Sequence, residues 1–147
     1  MDTLLRDIRV HIYEQMVETS VAPSVADTAH ALACSHAEVE AGYRALADAR
    51  AIVLQPDSTT IWMAMPFSNM QTAFTVIAGG RAYYANCAWD AFGIPAALGA
   101  DARIFTTCAD CGTGLERKVA AGHVTETRGL VHFALPARRW WDDVGLT

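Results

Sequence analysis

An α+β fold with its helices first is what this sequence predicts, from three observations. Apolar residues recur at spacings of three and four through the first third of the chain. Short β-type runs separated by turn residues dominate afterwards, and one helical stretch beginning near Asn86 breaks into them. The composition supports a packed structure: 52% of the 147 residues are hydrophobic and 18% charged, which is globular and not disordered. That length suits one domain, or a small module fused to a second.

The elements follow in order. Leu5, Ile8, Ile12, Met16 and Val17 set an amphipathic helix over residues 3–18. Ala22-Pro23-Ser24 breaks it and starts a short helix from about Val25 to Ala33. Ser35 with Glu38 three residues on is a capping box, opening a third helix through Val39, Tyr43 and Leu46. Ala51–Leu54 and Thr60–Ala64, joined by the turn-rich Gln55-Pro56-Asp57-Ser58, read as a hairpin. Three helices and a hairpin predict a winged-helix-like module over residues 1–65. In a DNA-binding winged helix the third helix enters the major groove. Here that helix carries Glu38, Glu40 and Asp48 against Arg44, which would face phosphates badly, so nucleic acid is not an expected partner. The formal net charge of −5 points the same way.

The second part, residues 66–147, reads as a mostly antiparallel sheet with an inserted helix. Thr72–Ile77 and Arg81–Ala85 flank a Gly79-Gly80 turn. A helix then starts around Asn86 and is expected to be interrupted near Pro95. Asp101–Thr107 and Leu115–Val119 suggest a strand pair around the Cys108–Gly114 loop. His123–Glu126 and Leu130–Leu135 would add two more strands, and Pro136 would open a short terminal helix through Asp143. No apolar run approaches the ~20 residues that cross a bilayer. The segment Met1-Asp2-Thr3-Leu4-Leu5-Arg6-Asp7 has acids where a signal peptide wants bases, so a cytoplasmic, membrane-free protein is expected.

The chemistry centres on Cys87 and Asp90. With Asn86 as N-cap, Cys87 would sit in a first helical turn, where free amides and the helix dipole are expected to lower its pKa. Asp90, three residues on, shares its face. A soft sulfur beside a carboxyl group can bind a soft electrophile or metal while the carboxyl carries a proton. The same spacing also arises when an aspartate merely complements the dipole. Cys108-Ala109-Asp110-Cys111 is a Cys-x-x-Cys pair compatible with half a zinc site, a redox pair or a metal chelate, with Cys87, His123 and His132 as further donors. Cys34, on a helical stretch, reads as a small buried hydrophobe.

Three blocks, Met63-Ala64-Met65-Pro66-Phe67-Ser68, Tyr84-Ala85-Asn86-Cys87-Ala88-Trp89-Asp90, and Phe92-Gly93-Ile94-Pro95-Ala96-Ala97-Leu98-Gly99 followed by Ala102-Arg103-Ile104, occur in the order and spacing of a known family. They resemble the organomercurial (alkylmercury) lyases. The resemblance implies an alkylmercury-lyase-like α+β domain over residues 66–147 and cleavage of a carbon–mercury bond by protonation. It implies that Cys87 captures the mercury of R–Hg⁺ and that Asp90 moves a proton from thiol to carbon. It also implies a small organometal or thiol-reactive substrate, low-molecular-weight thiols as partners, and no required cofactor beyond a bound Hg or other soft metal ion. A second family cysteine would fall at or just beyond Thr147. The last cysteine here is Cys111, so a shortened or divergent member is expected. The alternatives are a non-catalytic soft-metal or metalloid binder using Cys87, Cys108 and Cys111, a related lyase with another substrate, and, less favoured, a DNA-binding regulator.

Overall fold

The computed structural model describes residues 3–126, 128–133, 135–142, 144 and 145. The chain divides into two compact units, Met1–Gln71 and Thr72–Thr147, and its class is α+β with the helices first.

In the first unit, helices α1 (Thr3–Thr19), α2 (Val25–Leu32) and α3 (His36–Asp48) precede short antiparallel strands β1 (Val53–Leu54), β2 (Ile61–Ala64) and β3 (Phe67–Ser68). Both later helices open on capping boxes. Ser24 and Asp27 satisfy each other's backbone amides at α2, and Ser35 and Glu38 do so at α3. The helical spacing delivers Ile8, Ile12 and Met16 of α1 and Val39, Tyr43 and Leu46 of α3 to the core, each almost fully buried. Burying each such large apolar side chain stabilises the unit by about 1.5–3 kcal/mol. α1 and α3 approach closely at Gly42, where a Cβ would stand 2.6 Å from Ile8 Cδ1. The arginine of α3, Arg44, is paired with Glu40 at 3.3 Å.

Polar groups complete this core. Tyr43 donates its hydroxyl to the Pro23 carbonyl (3.1 Å) and lies 2.7 Å from the buried Thr28 hydroxyl. Tyr13 on α1 donates to the carbonyls of Ala51 (3.3 Å) and Met65 (3.1 Å), tying the helix to both ends of the hairpin.

In the second unit, β4 (Phe74–Ala78) and β5 (Arg81–Ala85) form a hairpin about Gly79 and Gly80, whose φ values of 57° and 77° are those a tight primed turn requires. β6 (Ala102–Thr107), β7 (Gly114–Ala120) and β8 (His123–Val124) extend the sheet in the order β5-β4-β6-β7-β8, all antiparallel. Period-two alternation sends Val76 and Ala78 inward and leaves Ile77 partly in water. Helix α4 (Ala88–Leu98) packs on β4, β5 and β6 through Ala91, Ile94 and Pro95.

Three local expectations change. α4 is not interrupted at Pro95: it continues one turn to Leu98 and ends on Gly99 in the left-handed region (φ 59°). Proline removes one amide, but only the last turn follows it and burial of Ile94 and Pro95 holds that turn. The expected strand Leu130–Leu135 does not form among its described residues. Leu130 is 98% exposed, and the segment lacks a ladder partner (Ala134 lies outside the described residues). The terminal helix is reduced to a 3₁₀ turn, Ala137–Arg139, with Asp143 outside the described residues. Among the described residues no helix is long and apolar enough to cross a membrane.

The Tyr43–Thr28 pair makes a direct test of this core. Tyr43→Phe should destabilise the protein by about 1–3 kcal/mol in urea unfolding, because the Thr28 hydroxyl and Pro23 carbonyl lose a buried partner. Adding Thr28→Val should recover part of that loss, since the second orphan disappears with the first. Equal or greater loss in the double variant would contradict the account.

Candidate functional site

Cys87 and Asp90 come together at the start of α4. β5 ends at Ala85, and Asn86 carries the chain across with its side-chain amide donating to the Val144 carbonyl at 2.8 Å. Thr72 Oγ1 donates to the Ala85 carbonyl at 2.5 Å and fixes the end of the strand. The N-cap is therefore Cys87, not Asn86 as expected from cap preferences. Cys87 has extended backbone (φ −142°, ψ 178°), and its carbonyl accepts the first helical bond from Ala91 N–H at 3.0 Å. Asn86 is engaged elsewhere, so the cysteine takes the cap position.

Asp90 falls at the third helical position, where a capping-box acid would stand. Its carboxylate accepts from the Cys87 thiol, with Sγ 3.3 Å from Oδ2, and the Cys87 backbone amide favours its charged form. Cys87 is 8% exposed and Asp90 half-buried. The thiol pKa is not lowered, as the helix-start argument expected, but raised to about 11. Burial is the largest cause, and the Asp90 carboxylate adds to it. The backbone amides of Asp90 and Trp89 oppose the rise without forming a cap hydrogen bond to sulfur. Burial also raises the Asp90 pKa, against the stabilising bonds from Cys87. The pair thus holds a proton on sulfur and accepts it at the carboxylate, a donor and acceptor already in contact. Trp89, between them in sequence, is 67% exposed, where a core or pocket-wall place was more usual for its type.

A cavity of about 580 Å³ lies beside the neighbouring face of α4, against Ala88, Ala91 and Phe92. Cys87 and Asp90 are not among its lining residues. Its lining also includes Cys108 and the segment Arg128–His132, which Arg117 holds by donating to the Arg128 carbonyl at 2.9 Å. Val131 and His132 both line it, so these two do not alternate across a strand.

Cys108 and Cys111 sit in the turn between β6 and β7. Cys108 is half-buried and Cys111 exposed, both as free thiols. Cys111 Sγ bonds to Thr113 Oγ1 at 3.2 Å, and this contact, the Thr113 amide and Cys108 all lower its pKa. Among the described residues no three His, Cys, Asp or Glu side chains gather as a metal cluster, so Cys87, His123 and His132 do not complete a four-ligand site with this pair. The exposed Cys111 was singled out by its spacing. The Thr113 partner that tunes it was not, because a two-residue offset in a turn carries no periodic signal.

The thiols should differ sharply in reactivity. At pH 8 iodoacetamide should modify Cys111 about tenfold faster than Cys87 or more, since the loss of thiolate outweighs the gain in intrinsic nucleophilicity. The Cys87 rate should keep rising with pH toward about 11. Asp90→Asn removes the repelling charge and should move that profile to lower pH, leaving it above an ordinary thiol because burial remains. Peptide mass spectrometry reads both, and a Cys87 profile centred below pH 8 would overturn the assignment.

Residues 67–147 match the family described as MerB: Alkylmercury lyase. A crystal structure of the mercury-bound form of MerB2 has the same fold, with a TM-score of 0.67 and 23% sequence identity over 87% of this chain. The chain spans 61% of the length of that protein chain. No curated protein matches it.

Proposed function

The chain belongs to the alkylmercury lyase family, and from that premise we propose that it captures an organomercurial at Cys87 and breaks the carbon–mercury bond with Asp90 as the proton carrier. The observation that carries the reading is the 3.3 Å contact between Cys87 Sγ and Asp90 Oδ2. With its pKa raised to about 11, the thiol keeps its proton at neutral pH. A hard electrophile gains little from such a sulfur. Mercury is soft enough to displace the proton, because the sulfur–mercury bond replaces the sulfur–hydrogen bond.

The steps balance as follows. R–Hg⁺ bonds to Cys87 sulfur, and the thiol proton moves to the Asp90 carboxylate that already accepts its hydrogen bond. Burial raises the Asp90 pKa, which makes the neutral acid accessible at that moment. The carbon–mercury bond then breaks with its electron pair on carbon, and the Asp90 proton joins that carbon to give R–H. Asp90 returns to carboxylate and Hg²⁺ remains on the Cys87 thiolate, from which a low-molecular-weight thiol removes it. The raised thiol pKa thereby serves the reaction: the proton needed at carbon enters with the nucleophile.

Methylmercury with glutathione and the protein should release methane, measured by headspace gas chromatography. Cys87→Ser should abolish release. Asp90→Asn should still retain one equivalent of methylmercury yet slow methane release by about 10²–10⁴-fold, the usual contribution of a positioned proton carrier. Methane no greater than from glutathione alone would sink the reading.

A further inference from the structure

We propose that Cys108 and Cys111 form a second site, a two-coordinate dithiol that binds a thiophilic cation of the Hg²⁺ type independently of Cys87. The turn is closed by its own backbone. Cys108 N–H donates to the Thr113 carbonyl at 2.8 Å, and Gly112 N–H donates to the Cys108 carbonyl at 2.9 Å. Gly112 has φ 70°, which lets the chain reverse there without strain. The two cysteines, three residues apart in this reversal, are both free thiols, and Cys108 is among the groups that lower the Cys111 pKa.

Ligand number then selects the cation. Among the described residues no third His, Cys, Asp or Glu joins the pair. Zinc in a structural site takes four ligands, so two thiolates would leave it half filled. Hg²⁺ is satisfied by two sulfurs in a line, and thiolates are its preferred donors. Binding replaces two S–H bonds with two S–Hg bonds and releases two protons to water, with no change of oxidation state. The site has two approaches. Cys111 is open to solvent, while Cys108 lines the cavity that Ala88 and Ala91 of α4 also line. A cation can therefore reach the pair from solution or along that cavity.

The test uses the full chain carrying Cys87→Ser, so failure of the lyase reading leaves it unaffected. Mercuric chloride is added at one equivalent, with excess glutathione to strip single-thiol binding, and native mass spectrometry counts retained metal. One mercury per chain is expected. Adding Cys111→Ser should lower retention about tenfold or more, because the second sulfur no longer acts at high effective concentration. In the unsubstituted chain, mercury should protect Cys108 and Cys111 together from iodoacetamide, a readout that needs no variant to fold. Retention unchanged by Cys111→Ser, or alkylation of the pair unaffected by mercury, overturns the site. Zinc retained equally well under the same competition overturns the two-coordinate assignment.

Discussion

A thiol and a carboxyl group buried side by side in one helical turn cannot both carry charge at low cost. Cys87 and Asp90 meet this constraint by sharing one proton and one negative charge across 3.3 Å. Burial raises both pKa values, and the hydrogen bond decides the division, with the proton on sulfur and the charge on oxygen. The location makes the remaining charge tolerable: the Cys87 backbone amide favours the charged carboxylate at the positive end of α4. Moving the pair to the middle of a helix would keep the contact and lose that support.

The rest of the second unit holds this turn in place. α4 lies on β4, β5 and β6 through Ala91, Ile94 and Pro95, while β5 ends two residues before Cys87. Strand end and helix start are thus nearly the same point, pinned by Thr72 on the Ala85 carbonyl and by Asn86 on the Val144 carbonyl. A side chain positioned by a strand end on one side and a packed helix on the other has little freedom to rotate away from Asp90. Cooperative packing of the hairpin is therefore part of the site's geometry, although none of its apolar residues could move a proton.

Much of this was legible in the sequence where the signal is periodic or local. Ile8, Ile12 and Met16 marked α1, the Ser35–Glu38 box marked α3, and Gly79-Gly80 marked the β4–β5 turn, because each depends on neighbours a few residues away. The Cys87–Asp90 spacing was visible for the same reason. What was not legible depends on distant partners. Asn86 looked like the cap because asparagine prefers that position, but its amide serves Val144, 58 residues on. The direction of the Cys87 pKa shift was misjudged because the helix-start argument counts amides and omits burial, which is a property of the packed unit. Leu130–Leu135 had strand composition, yet composition does not provide a ladder partner, and Leu130 stands in water.

Burial also separates two kinds of cysteine chemistry in one small unit. A thiol exposed to solvent, as at Cys111, reacts with any electrophile that reaches it, and its reactivity follows the fraction ionised. A buried thiol that keeps its proton, as at Cys87, is slow toward oxidants and alkylating agents that need the free thiolate. Displacement of the proton by a cation with strong affinity for sulfur is a different route: the proton leaves as the metal bond forms, and here an acceptor already touches it. In the proposed reaction, high pKa acts as a filter in favour of thiophilic metals and, through Asp90, preserves the proton for later use. Lowering the pKa would make Cys87 a faster general nucleophile and would remove both properties, so the same burial that suppresses ordinary thiol reactivity is what suits this pair to the proposed capture with proton transfer.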